Sequence, residues 1–413
     1  MTFRTPSALG LLLLLAPLLP AQQPQARPGA AAALPSPTGA WPTATLESQG
    51  LAREPLETLV NRVHIGSMGN VDRMVVVRNG QLVMDQRFTP DYRELSKGKK
   101  SPIGCGIDAC ADSSQLNEFN YLHPNWHPWY RGRDIHTLQS VTKSVTATLF
   151  GVALQRGELK TVDAPLLSFF PSYDVSKVDN RLRAATLEDL LTMRLGMEWH
   201  ENDRPLDSTN TTLQLEHSRD WIRFTLAQPS DTVPRTKWVY NSGASALMAE
   251  VLRKVTGVHA HQYAAQHLFT PLGIKDFHWK LTPTGHPDTE GGLYLEARDL
   301  AKIGQLYLND GMWGNTRILA PGWAKQAIAR QVDRTAATPT SPGYGYQWWR
   351  YDRRGVDIWA GNGFGGQFLI IIPQYGIVGV TNAWNVFGTP AAGMLMPFID
   401  ALLTSAGVAP AAR

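Results

Sequence analysis

The apolar positions fall into three successive patterns along the chain. A helical spacing from about Leu51 to Val63 comes first. It gives way to Met74–Phe88, MVVVRNGQLVMDQRF, where apolar and polar residues alternate on either side of Asn79-Gly80. An Asn-Gly pair between alternating runs predicts a hairpin, because both residues tolerate the left-handed backbone of a tight turn. From about Ser140 to Gly273 the spacing is that of helices. LQSVTKSVTATLFGVALQRG repeats at helical intervals and stops at Gly157. ATLEDLLTMRLGM opens with Thr186 and Asp189 in capping positions, and Ser245–Gly257 is a further amphipathic run. Strand-like runs return as YGYQWWRY, GGQFLIIIP and GIVGVTNAW. Strand pair, helical block, strand block predicts an α+β fold. In it the two ends of the chain share one antiparallel sheet, and a helical lobe is inserted between them. The order shows neither a βαβ alternation nor an internal repeat.

The first residues follow another pattern. Arg4 precedes an apolar run, Leu9–Leu19, and Ala21 or Ala26 offers a small residue for cleavage. The run is about half of the roughly 20 residues a membrane span needs, and Pro17 and Pro20 break it. A secretion signal over 1–21 is expected, then a flexible Pro/Ala-rich leader over 22–45. The folded domain is expected over 46–413, with an α/β lobe of 46–138 and 288–413 and a helical lobe of 139–287. Export to the periplasm or medium follows from this reading, with no membrane span in the mature chain.

Composition excludes some classes. Hydrophobic residues at 43% and charged residues at 18% suit a soluble globular protein. Lys plus Arg minus Asp plus Glu is 39 − 35 = +4, too small a surplus to point to nucleic acid. Thr89–Asp134 is loop-like and holds the two cysteines, Cys105 and Cys110, in GCGIDAC. In an oxidising compartment they are expected to close a small disulfide ring; two free thiols are the alternative, and two thiols alone make no metal site. His123, His127 and His136 lie in HPNWHPWYRGRDIH, but Pro124 and Pro128 deny them a shared helical face. They are expected to pack among the loop's aromatic residues. No phosphate-binding loop or nucleotide fingerprint is present, and the elbow Gly-x-Ser-x-Gly is incomplete around Ser67.

Three short elements carry candidate chemistry. Ser140-Val141-Thr142-Lys143 opens a predicted helix. Residues three apart share a helix face, so a lysine there can meet the serine hydroxyl and help to activate it. Alone the spacing is common, and a cap followed by a solvated lysine is the plainer reading. Tyr240-Asn241-Ser242-Gly243 precedes the next long helix. A tyrosine beside a lysine can move a proton, and Asn241 and Ser242 can offer hydrogen bonds to substrate. Trp359-Ala360-Gly361-Asn362-Gly363-Phe364 leads into GGQFLIIIP and reads as a glycine-rich turn before a core strand. There Gly361, Asn362 and Gly363 would let substrate approach the strand edge. Trp348 and Trp349 suit an aromatic wall and core packing equally.

In this order the three elements resemble those of the serine β-lactamase and penicillin-binding-protein superfamily, in the branch of class C β-lactamases, D-alanyl-D-alanine carboxypeptidases and esterases. Within it the chain is similar to members typed as 6-aminohexanoate-dimer hydrolases. The resemblance runs from about Leu51 to Leu403 and includes GELKTVDAPLLSFFP, HLFTPLGIKDFHW and GGLYLEARDLAKIGQLYLNDGMWG. It implies the two-lobed transpeptidase fold and an acyl-enzyme on Ser140, with Lys143 and Tyr240 handling its proton. The N–H groups of Ser140 and Phe364 would form the oxyanion hole. No cofactor is implied, and the partner is a small ester or amide.

The chain departs from the family at two motifs. Ser242 stands where the second motif has Asn. Gly361-Asn362-Gly363 stands where the third begins with Lys or His, a cation that helps to hold a substrate carboxylate. Its loss argues against penicillins and D-Ala-D-Ala peptides. A β-lactamase or D-alanyl-D-alanine peptidase, a non-catalytic binding module and an acyltransferase are the competing expectations.

Overall fold

Asn79 and Gly80 take φ of 52° and 75°, and the tight turn they form joins β1 (Val71–Arg78) to β2 (Gln81–Arg87) in a computed structural model of the chain. The structure describes Met1 and residues 34–37, 39–91, 94, 95, 97, 132–335, 341–386 and 393–409. The Cys105–Cys110 pair, His123, His127 and the expected signal beyond Met1 lie outside these residues.

The hairpin enters an eight-stranded antiparallel sheet of order β2-β1-β13-β12-β11-β10-β9-β8. Its remaining strands come late in the chain: β8 (Val332–Asp333), β9 (Gly343–Tyr344), β10 (Trp349–Arg353), β11 (Val356–Gly363), β12 (Gln367–Ile372) and β13 (Ile377–Ala383). β1 pairs with β13, Val75 opposite Val380, so the two ends of the fold share one sheet as the patterning predicts. Alternate residues of a strand face opposite sides. Val75 and Val77 join one core with Leu369 and Ile371 of β12, while Met74 and Val76 join the other with Phe368 and Ile370. Helices cover both faces, so every residue of β12 is buried. α1 (Glu54–His64) and the C-terminal helix Leu395–Ser405 pack into the second core through Leu56, Leu59, Phe398 and Leu402. α1 starts at Glu54, three residues later than the spacing suggests, with Pro55 in its first turn, where proline's missing N–H is harmless.

Between the halves of the sheet lies the helical block. Its central element, α2 (Val141–Gln155), is buried at every position from Val141 to Ala153. Such a helix is apolar or satisfied all round rather than amphipathic. Thr186 and Asp189 form the expected capping box at the start of Leu187–Leu191. Ser242–Thr256 ends at Gly257 with φ of 79°. A small sheet, β3 (His136–Thr137), β5 (Leu293–Leu295) and β4 (Phe277–Trp279), lies beside this block, and β6 (Met312–Trp313) pairs with β7 (Thr316–Arg317) in a two-stranded one.

Two local expectations need correction. YGYQWWRY is not one strand: Gln347 has φ of 61° and the chain bends between β9 and β10. The bend is held by Gln347, whose amide donates to the carbonyls of Leu190 and Leu191 and accepts from Ser245 Oγ at 2.8 Å. Gly361, Asn362 and Gly363 are not in a turn. They are the last residues of β11, paired with Leu369, Phe368 and Gln367 of β12.

Candidate active site

Ser140 sits at the N-cap of α2, after a backbone kink. Gln139 has φ of 48°, a left-handed conformation that costs a non-glycine residue about 1–2 kcal/mol. One turn into the helix, Lys143 Nζ donates to Ser140 Oγ at 2.9 Å. The same ammonium donates to the backbone oxygen of Glu290 at 2.7 Å and to its carboxylate Oε2 at 2.8 Å. Lys143 is only 1% exposed. Burial by itself would lower its pKa, but Glu290, then Tyr240 and Glu201, hold it well above the ordinary lysine value. The Tyr240 ring centroid lies 5.4 Å from Lys143 Nζ, and Tyr240 and Ser140 line the same cavity. Burial raises the Tyr240 pKa, Lys143 opposes this and Glu201 adds to it; the net shift is upward, so the phenol stays protonated.

Ser140 and Lys143 therefore meet, as three-residue spacing on a helix predicts, and Tyr240 lies beside them, as the resemblance implies. A cavity of about 370 Å³ opens over Ser140. Tyr240, Asn362, Phe364, Trp349, Leu206, Leu213, Glu201, Glu216 and Glu290 are among its lining residues. Trp349 stacks against Tyr240 with centroids 5.2 Å apart, while Trp348 is fully buried and donates to Tyr307 Oη at 3.2 Å. One of the adjacent tryptophans is wall and the other is core.

Several expected substrate contacts are placed differently. Asn241 caps the helix that follows, its Oδ1 accepting from Ala244 N at 2.8 Å. Ser242 is 1% exposed; its N–H and Oγ donate to Glu201 at 2.9 and 2.7 Å. Neither residue lines the cavity. Gly361 and Gly363 also face away from it. A Cβ on Gly361 would stand 3.0 Å from Val141 Cγ1 and 3.1 Å from Ser144 Oγ. A Cβ on Gly363 would stand 3.1 Å from that of Gln139 and would collide with the Leu138 carbonyl. These glycines bring β11 close to the start of α2 rather than making room for substrate. Asn362 and Phe364 do reach the cavity, and Asn362 Nδ2 donates to Tyr351 Oη at 3.3 Å.

Carboxylates near the serine are the feature that motif reading misses. Glu201 accepts from Trp199 Nε1 at 3.0 Å besides Ser242. Burial raises its pKa against the pull of Lys143. Burial and the neighbouring Glu290 push Glu216 up to about 8. Asp288 is pushed up to about 6 by burial and Glu290; its Oδ1 accepts from the backbone N–H groups of Glu290 and Gly291. The only local signal was a pair of acids, Asp288 and Glu290, ahead of Gly291-Gly292. No group of three or more His, Cys, Asp or Glu among the described residues is arranged to hold a metal ion. No helix among them is long and apolar enough to cross a membrane.

Residues 69–395 match the β-lactamase family. The chain is 24% identical over 259 residues to a 6-aminohexanoate-dimer hydrolase of Paenarthrobacter ureafaciens, covering 58% of this chain and 64% of that one. It thus spans just under two thirds of that relative. It is 26% identical to penicillin-binding protein 4 of Amycolatopsis lactamdurans, covering 58% and 69% of the two chains. Its fold is similar to that of EstCE1, a hydrolase with promiscuous acyltransferase activity, at a TM-score of 0.62 and 16% identity over 87% of this chain and all of that one. The expected fold is therefore the observed one, and the chain belongs to the β-lactamase family.

Proposed function

We propose that this protein is a serine hydrolase that cleaves an ester or amide through an acyl-enzyme on Ser140. The observation that carries this is the 2.9 Å contact from Lys143 Nζ to Ser140 Oγ, beneath a cavity that Tyr240 also lines. Ser140 loses its proton through Lys143 as its oxygen attacks the carbonyl carbon. The backbone N–H groups of Ser140 and Phe364 would stabilise the oxyanion, and one such donor is typically worth about 3 kcal/mol. Tyr240, held protonated, gives its proton to the departing alcohol or amine, and water then releases the acyl group.

The substrate we favour carries no carboxylate near the scissile bond. Among the described lining residues there is no Lys, Arg or His, while three are glutamates. That favours an esterase or amidase over a β-lactamase or D-alanyl-D-alanine peptidase. The 6-aminohexanoate-dimer hydrolase similarity supports amides as one class to assay. Export, as expected from the first 21 residues, is part of the proposal; the mass of the chain recovered outside the cytoplasm would test it.

Hydrolysis of a short-chain p-nitrophenyl ester by wild type and Ser140→Ala tests the central claim. Turnover by wild type alone supports it. Equal turnover by both overturns it.

A further inference from the structure

Lys143 has a problem as the base for Ser140. A lysine ammonium has three N–H donors and no lone pair. Here all three have acceptors: Ser140 Oγ, the Glu290 backbone oxygen and Glu290 Oε2. An ammonium in this state takes a proton from Ser140 only if it gives one up at the same time. Of its three acceptors, a hydroxyl and a peptide oxygen are poor proton holders near neutral pH, whereas a carboxylate is a good one.

We propose that Glu290 holds the proton that Lys143 takes from Ser140, so that Ser140 Oγ, Lys143 Nζ and Glu290 Oε2 form one relay. The inference rests on the acyl-serine reading and adds a residue to it. Glu290 acts through Lys143 and is a positioning and proton-holding residue. The Ser140 O–H bond breaks and its proton goes to Nζ, while Nζ passes one of its own to Oε2. The Ser140 oxygen bonds to the carbonyl carbon, and the carbonyl π pair moves onto oxygen. On collapse the C=O re-forms and the bond to the leaving group breaks. The leaving group takes the Tyr240 proton, and the proton held on Glu290 restores the phenol through Lys143. The charges at the end are those at the start.

The surroundings suit this task. Glu290 is 5% exposed, and its backbone is anchored by Asp288, whose Oδ1 accepts from the N–H groups of Glu290 and Gly291 at 3.1 and 2.9 Å. Charged and titratable groups facing it are Lys143 and Tyr240, Glu201 and Glu216 across the cavity, and Asp288 with Lys280 on its own segment. Lys143 Nζ donates to the Glu290 carboxylate at 2.8 Å. Away from bulk water an ion pair and its neutral form lie closer in energy, which eases the transfer.

The test compares wild type, Ser140→Ala, Glu290→Gln and Glu290→Asp in p-nitrophenyl ester hydrolysis across pH. Glu290→Gln keeps an acceptor for Lys143 but not the basicity. Its kcat should fall by about 100-fold or more with little change in KM. Its rate should then climb about tenfold per pH unit into the alkaline range, because Lys143 must lose its own proton first. Glu290→Asp should restore part of kcat and the wild-type profile. A Glu290→Gln enzyme with wild-type kcat and pH profile overturns the relay, even if Ser140→Ala is dead. An active Ser140→Ala overturns the acyl-serine reading instead. A proton inventory on wild-type kcat/KM needs no variant: two protons in flight give a curved plot, and a straight line overturns the relay.

Discussion

A side-chain carbon on Gly363 would collide with the carbonyl oxygen of Leu138, two residues before the serine. The end of β11 and the approach to α2 are thus packed backbone to backbone, with Gly361 serving the same contact one pleat earlier against Val141 and Ser144. Gly363→Ala should push the strand from the serine. Overpacking of this kind costs about 1–3 kcal/mol, and a thermal melt would read it. Ester hydrolysis should fall further than stability, because Ser140 and the Phe364 N–H move relative to each other. Unchanged kcat would show that the strand does not set the site.

Tyr240→Phe separates packing from proton transfer. The ring stacks on Trp349 at 5.2 Å and would keep that contact without its hydroxyl. The expected result is a near-native melting temperature with kcat lowered by about 10² to 10⁴-fold. Equal losses in rate and stability would assign the hydroxyl a structural role.

Ser242→Ala should behave oppositely. The hydroxyl is bound to Glu201 Oε1 at 2.7 Å beneath the cavity. Its removal leaves a half-buried carboxylate short of one donor, which costs about 1–3 kcal/mol. KM for a small ester should stay near the wild-type value. A large rise in KM with native stability would return Ser242 to the substrate.

Three histidines that do not line the cavity over Ser140 make stability sensitive to acid. His259 stacks on His261 at 5.9 Å and meets His286 at 5.4 Å. Burial lowers all three pKa values; Arg253 adds to this at His259, and His259 at His261, while Glu250 opposes it at His259 and His286. The unfolded chain, with ordinary values near 6.5, therefore takes up protons first as pH falls. Their contribution is complete above about pH 6.5 and is lost on the way down through the folded values. Melting temperatures of wild type and His286→Asn should converge between pH 7.5 and 5. A constant difference would remove His286 from the titration.

The sequence alone determined what depends on near neighbours. Asn79-Gly80 dictates the hairpin turn, because few other pairs adopt two successive positive φ angles. Ser140 and Lys143 meet because three residues along a helix share a face. Thr186 with Asp189, and Gly257, mark helix ends by local hydrogen bonding and a left-handed backbone. Tertiary structure decided whatever depends on a surface from elsewhere. Glu290 reaches Lys143 across 147 residues, and the nearby Asp288 and paired glycines do not by themselves say that it is buried. Glu201 claims Ser242 from 41 residues away and turns an expected substrate contact into a buried one. Trp348 and Trp349 are adjacent and chemically identical, yet one points into the core and one into the cavity, because successive side chains diverge where the chain bends at Gln347. Local energies select elements, and burial of one element against another selects what each side chain is for.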